Sequence, residues 1–241
     1  MTVNTPADTP LASPAPRSVS LLRGTLAIAW KDLRAEARSR ENISAMLVFA
    51  LLAIMLFSFA LELDKTGRAA SASGVLWVTL VFAGTLGLGR SLGREKDEST
   101  LDGLLLAPVD RSALYFGKLI GNFIFMMIVA AILAPFLTIL FDVSFFKPLM
   151  PVALLLGILG YAGVGTLIAS MSVYTRGREV LLPILLLPIA LSILIPAVRA
   201  SRGLLDDLPF DELAIWFNLL AGTTVVYLTL GYMLFDFVVE E

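Results

Sequence analysis

The residue types that most often carry chemistry are nearly absent from this chain. It has no histidine and no cysteine, which removes the usual zinc and iron–sulfur ligands, His-ligated haem, the Ser-His-Asp and Cys-His nucleophile systems, and any disulfide. Gly117-Lys118 comes nearest to a nucleotide-binding loop. That loop needs G-x-x-x-x-G-K followed by Ser or Thr, but Lys118 is followed by Leu119 and the position five before Gly117 is Ser112. Any ATP-driven work must therefore be done by another polypeptide. Glu62, Asp142 and Asp236 lie at the ends of apolar stretches, and the uncharged Asn122, Thr138, Tyr161, Thr166 and Asn218 lie further in. Nothing there pairs a nucleophile with a base, so an intramembrane enzyme is not expected. Nor does a mid-depth charge offer the relay or ion site of a secondary transporter, which leaves only backbone carbonyls of an interrupted span for that role. A haem contact would have to use Met, Tyr or apolar walls.

The elements that position these residues follow from where charges are missing. Of 241 residues, 58% are apolar and 16% charged, against roughly 45–50% and about 25% in a soluble domain. An ionised side chain at the bilayer centre costs about 2.5–3.5 kcal/mol on the insertion scale, so charge-free runs mark membrane spans. There are six: residues 43–61, 69–89, 119–141, 148–175, 180–198 and 213–235. A hydrocarbon core of about 30 Å takes about 20 helical residues, so each run crosses once. The net charge of −2 gives nothing to draw the chain to nucleic acid.

An even number of spans puts both termini on one side. That side holds 13 of the 18 basic residues, six before Ile43, five from Arg90 to Lys118, and Arg176 and Arg178; the opposite loops hold Lys65, Arg68, Lys147, Arg199 and Arg202. The positive-inside rule makes the termini cytoplasmic. Residues 1–18 carry Pro6, Pro10, Pro14 and Pro16 among Ser, Thr and Ala, and are expected to be a disordered cytoplasmic tail with no cleavable signal.

Two segments outside the spans are patterned. Within residues 19–41, Leu22, Leu26, Ala29, Leu33 and Ala37 share one helical face with Trp30 at its edge, while Arg23, Lys31, Arg34 and Arg38 gather on the flank. This fits a helix lying on the membrane surface with its basic residues at headgroups, or a helix packed on protein. The second segment is the long stretch between spans, residues 90–118. Here Leu101, Leu104 and Leu105 make an apolar knob on a short helix, with Asp97 and Ser99 as possible caps and Ala107-Pro108 as its end. Two turns of helix bury too little to stabilise themselves, so the knob either fills a groove on a partner or dips back into the membrane interface. Arg111 and Lys118 can snorkel to phosphates or pair with acidic groups of a partner.

Inside the spans, Pro135 interrupts the third, and Pro183, Pro188 and Pro196 interrupt the fifth, as candidate kinks, hinges or breaks. Gly84, Gly87 and Gly89 in the second span and Gly157, Gly160, Gly163 and Gly165 in the fourth allow close helix approach.

The segment EKDESTLDGLLLAPVDRSALYFGKLIGN, with Pro135 and Asp142 beyond it and the ending LFDFVVEE, resembles the CcmB family. These are permease subunits of the cytochrome c maturation haem exporter, related more loosely to type-2 ABC export permeases. The resemblance implies an all-α membrane protein: residues 19–241 as a type-2 ABC transmembrane domain of six helices with an N-terminal amphipathic helix and a cytoplasmic coupling helix. It implies that Glu95 to Leu106 docks into a separate ATP-binding subunit. The contacts would be Thr100, Leu101, Leu104 and Leu105 with the charged Arg94, Glu95 and Glu98 around them, and Pro108, Arg111, Gly117 and Lys118 would fix the return. The implied assembly has two permease and two ATPase chains in the plasma (inner) membrane beside a haem-handling membrane protein and a haem chaperone. ATP and Mg would sit on the partner, no cofactor or metal would be bound directly, and haem would be a possible substrate. The chain itself would be a transport subunit and no enzyme, serving haem export or the release of a haem-loaded chaperone. Exporters of a lipid, drug or polysaccharide share the coupling helix, and a scaffold that only assembles haem-handling partners is the reading from another class.

Overall fold

In hydrocarbon the backbone must bond within its own segment, and a helix is how one chain segment does so alone. The computed structural model describes residues 20–61, 65–97, 110–172, 175 and 177–239. Among them the secondary structure is seven helices and no strand: α1 (Leu21–Ser39), α2 (Glu41–Ala60), α3 (Lys65–Asp97), α4 (Arg111–Phe141), α5 (Met150–Ser172), α6 (Arg178–Leu205) and α7 (Phe210–Val239). Helices α2 to α7 are long and apolar enough to cross a membrane, and each coincides with one of the six charge-free runs. The expected tail, residues 1–18, lies outside the described residues, as do residues 98–109 with the whole leucine knob.

Helix ends differ from the ends of the charge-free runs. α3 has 33 residues and α4 has 31, about 50 and 46 Å of helix at 1.5 Å per residue against a core of about 30 Å. The excess over the charge-free runs falls at residues 65–68, 90–97 and 111–118, so both edges of the stretch expected as a loop are helix. Arg199 and Arg202, expected in a loop, ride instead on the last turns of α6. The Arg199 guanidinium sits 5.7 Å from the centre of the Trp216 ring, and Arg202 pairs with Asp206 at 3.5 Å. Charge spacing finds the edge of the hydrocarbon and says little about where hydrogen bonding stops.

The prolines do not end their helices. α4 runs unbroken through Pro135, and α6 through Pro183, Pro188 and Pro196. A proline forfeits one backbone bond, and neighbouring helices can hold the helix together around that loss. α3 and α5 form the centre, with 72% of each apolar window buried, against 17% in α2 and 22% in α7. Glycines let large side chains into that centre. The Trp77 ring lies where a Cβ on Gly157 would be, and Leu88 does the same at Gly165. Polar bonds tie the central helices: Trp77 Nε1 donates to Ser201 Oγ at 2.9 Å, and Tyr161 OH lies 2.7 Å from Thr85 Oγ1 and donates to the Val81 carbonyl at 2.9 Å.

Candidate functional site

The site worth building is the end of the bundle that carries the termini, where α3 and α4 project toward residues 98–109. Asp110 begins it. Its Oδ1 accepts a hydrogen bond from the Ser112 backbone N–H at 3.0 Å, which caps α4 as the chain returns from the 98–109 segment. Arg111 follows, exposed at the first helical position, and Ser112, Ala113, Leu114 and Tyr115 turn inward.

One turn on, Gly117 and Gly121 open a groove on α4, and α1 lies in it. A Cβ on Gly117 would sit 2.7 Å from Ile28, and one on Gly121 would sit 3.6 Å from Asp32 Cβ. Ile28 and Asp32 are themselves four residues apart, so one face of α1 meets one face of α4. Between the glycines stands Lys118, 2% exposed, whose Nζ donates to Asp32 Oδ2 at 2.8 Å; Asp32 is 13% exposed and also meets Lys31 at 3.2 Å. Desolvation offsets much of the attraction in such a pair, so it adds little net stability, but losing one partner strands the other charge.

The far end of α1 is fixed as well. Arg40 adopts the left-handed conformation (φ 53°) and its N–H donates to the Glu36 carbonyl at 2.7 Å. The buried Glu36 carboxylate accepts from the Ile43 N–H at 2.7 Å in the first turn of α2, where negative charge suits the helix dipole.

Under this end lies a small apolar core separate from the main one: Ile28 of α1, Leu114, Tyr115 and Leu119 of α4, Leu167 of α5 and Phe235 of α7. Tyr115 contacts the rings of Phe116 and Phe235 at 5.2 and 5.4 Å, and its hydroxyl donates to the Gly163 carbonyl at 3.2 Å. Gly231 makes room for it, since a Cβ there would collide with the Tyr115 ring. The first turns of α4 are thus wedged against α1, α5 and α7.

The expected site residues are divided by this geometry. Arg94 and Glu95 are on the last turn of α3 with side chains outside the described residues, and Glu98, Thr100, Leu101, Leu104, Leu105 and Pro108 lie outside them altogether. Lys118, expected to reach phosphates or a partner's acidic groups, instead points into the protein. On α1, Arg23, Lys31, Arg34, Arg38 and Trp30 are exposed. The apolar face expected there is split: Ala29 is buried and Leu33 half-buried, while Leu22, Leu26 and Trp30 are 72, 63 and 67% exposed. Pro135, Pro183, Pro188 and Pro196 lie within α4 and α6, away from the α1–α4 contact. Sequence reasoning missed Thr25, Ile28, Asp32 and Glu36, because a contact face that sets one apolar residue, Ile28, among polar and charged ones does not stand out by hydropathy. The available signal was Gly117-x-x-x-Gly121, a spacing that invites a helix.

The chain matches the family described as CcmB protein over residues 23–239, a stretch that takes in most of α1 with all six spans. It is 28% identical over 193 residues to Heme exporter protein B of Rhodobacter capsulatus, covering 78% of this chain and 88% of that one. To Heme exporter protein B of Escherichia coli K12 it is 30% identical over 202 residues, with coverage of 81% and 90%. To that of Pseudomonas aeruginosa it is 23% identical over 201 residues, with coverage of 83% and 89%.

Proposed function

Since the chain belongs to the CcmB family, we propose that it is the permease subunit of a haem exporter in cytochrome c maturation, driven by ATP hydrolysis in a separate subunit. The observation that carries this reading is the family match across nearly the whole chain. The geometry supports it in a specific way. Residues 98–109 connect α3 to α4, both of which continue as helix past the ends of their charge-free runs. The return is capped by Asp110 and wedged by Tyr115. A push on the start of α4 is therefore met by α1, α5 and α7, which pack against it.

In this reading Leu101, Leu104 and Leu105 fill a groove on the ATP-binding subunit, with Thr100 beside them and Arg94, Glu95, Glu98 and Arg111 around the rim. Two permease chains and two ATPase chains form the complex in the inner membrane, beside a haem-handling membrane protein and a haem chaperone. Both termini face the cytoplasm, as the 13 of 18 basic residues on that side support. Leu22, Leu26 and Trp30 of α1 enter the lipid surface, with Arg23, Lys31, Arg34 and Arg38 at headgroups. ATP and Mg are bound by the partner, and haem is cargo.

Replacing Leu101 and Leu104 together by Asp tests the central contact. Purification of the tagged chain from membranes is expected to bring down the ATPase subunit with the wild type and not with the double variant. Equal recovery of the ATPase with both chains would show that the knob is not the docking element.

A further inference from the structure

We propose that the buried Asp32–Lys118 ion pair is a positioning device that makes α1 and the first turns of α4 move as one body. Displacement of the 98–109 segment is thereby delivered to α1 at the membrane surface. This rests on the ATPase-coupled reading above and adds α1, with Asp32, to the path.

Three observations carry it. Lys118 is held at 2% exposure with Nζ 2.8 Å from Asp32, so sliding α1 along α4 would pull apart a buried ion pair. The flanking Gly117 and Gly121 put α4 backbone directly against Ile28 and Asp32, so the pair sits in a close helix crossing that tolerates one register. Glu36 ties the other end of α1 to the first turn of α2, so α1 bridges two spans and does not hang from one. Apolar residues would have served mere adhesion as well. A charge pair in a close crossing is the better means of fixing register.

Lys118→Met tests it, because the buried charge is removed while Asp32 retains Lys31 at 3.2 Å. In cells that make c-type cytochromes, three quantities are read together: chain in the membrane, ATPase subunit co-purified with it, and holo-cytochrome c formed per chain. With Lys118→Met, the first two are expected to stay near wild type while the third falls about tenfold, the scale of an ordinary coupling between sites. Lys118→Arg, which keeps the pair, is expected to restore delivery. Should Lys118→Met fail to accumulate, Asp32→Asn/Lys118→Met buries no lone charge and carries the same expectation. Wild-type delivery per chain from whichever neutral variant accumulates overturns the latch. Failure of the wild-type chain to co-purify with any ATPase overturns the underlying functional reading instead.

Discussion

Trp77 shows how this bundle is held at the scale of single residues. Lipid offers helices no hydrophobic drive to associate, so close contact must supply it. The indole rests on Gly157 and donates to Ser201, and magnitudes decide between the two. Interhelical hydrogen bonds in membranes average about 0.6 kcal/mol, whereas forcing extra atoms into a packed site costs about 1–3 kcal/mol. Gly157→Val is therefore expected to lower the thermal midpoint of the detergent-purified protein clearly more than Ser201→Ala, which keeps the indole and removes the acceptor of its bond. The reverse order would mean that polar bonds dominate. The glycines of the fourth span were legible in the sequence as packing residues. Their partners were not, because Gly157 meets a residue eighty positions earlier and nothing local encodes which one.

At the scale of elements, the six spans were legible because an ion in hydrocarbon is costly enough to leave a gap in the charge pattern. The helix ends were not, since α3 and α4 continue as helices past the ends of their charge-free runs and α6 carries Arg199 and Arg202 on its own turns. Pro183, Pro188 and Pro196 suggested kinks, hinges or breaks, and all three lie inside α6. α1 was legible as amphipathic, but its packing face sets the apolar Ile28 among Thr25, Asp32 and Glu36, a mixture that hydropathy does not pick out. That docking has a sharp test in a chain with no native cysteine. A Cβ at Gly121 lies 3.6 Å from Asp32 Cβ, within disulfide reach. Asp32→Cys/Gly121→Cys should cross-link on mild oxidation, seen as a reductant-sensitive mobility shift on a gel. Leu26→Cys/Gly121→Cys should not, because Leu26 is 63% exposed, away from the buried face of α1. Equal cross-linking of the two pairs would mean that α1 is not seated as described.

At the scale of the molecule, the proposed reading makes this chain, which has no histidine, cysteine or nucleotide loop of its own, the moving part of a larger complex. Its described core is apolar packing with a few polar ties. The last turn of α3 and the first turn of α4 flank residues 98–109. The family was legible from TLDGLLLAPVDRSALYFGK before any coordinates. The Asp32–Lys118 contact became visible only once α1 and α4 were side by side. The most direct measurement is holo-cytochrome c in cells lacking this chain, with the wild type or Leu101→Asp/Leu104→Asp returned at equal level. The account predicts loss of holo-cytochrome c on deletion, recovery with the wild type, and a level near that of the deletion with the double variant. Undiminished holo-cytochrome c in the deleted cells would contradict it.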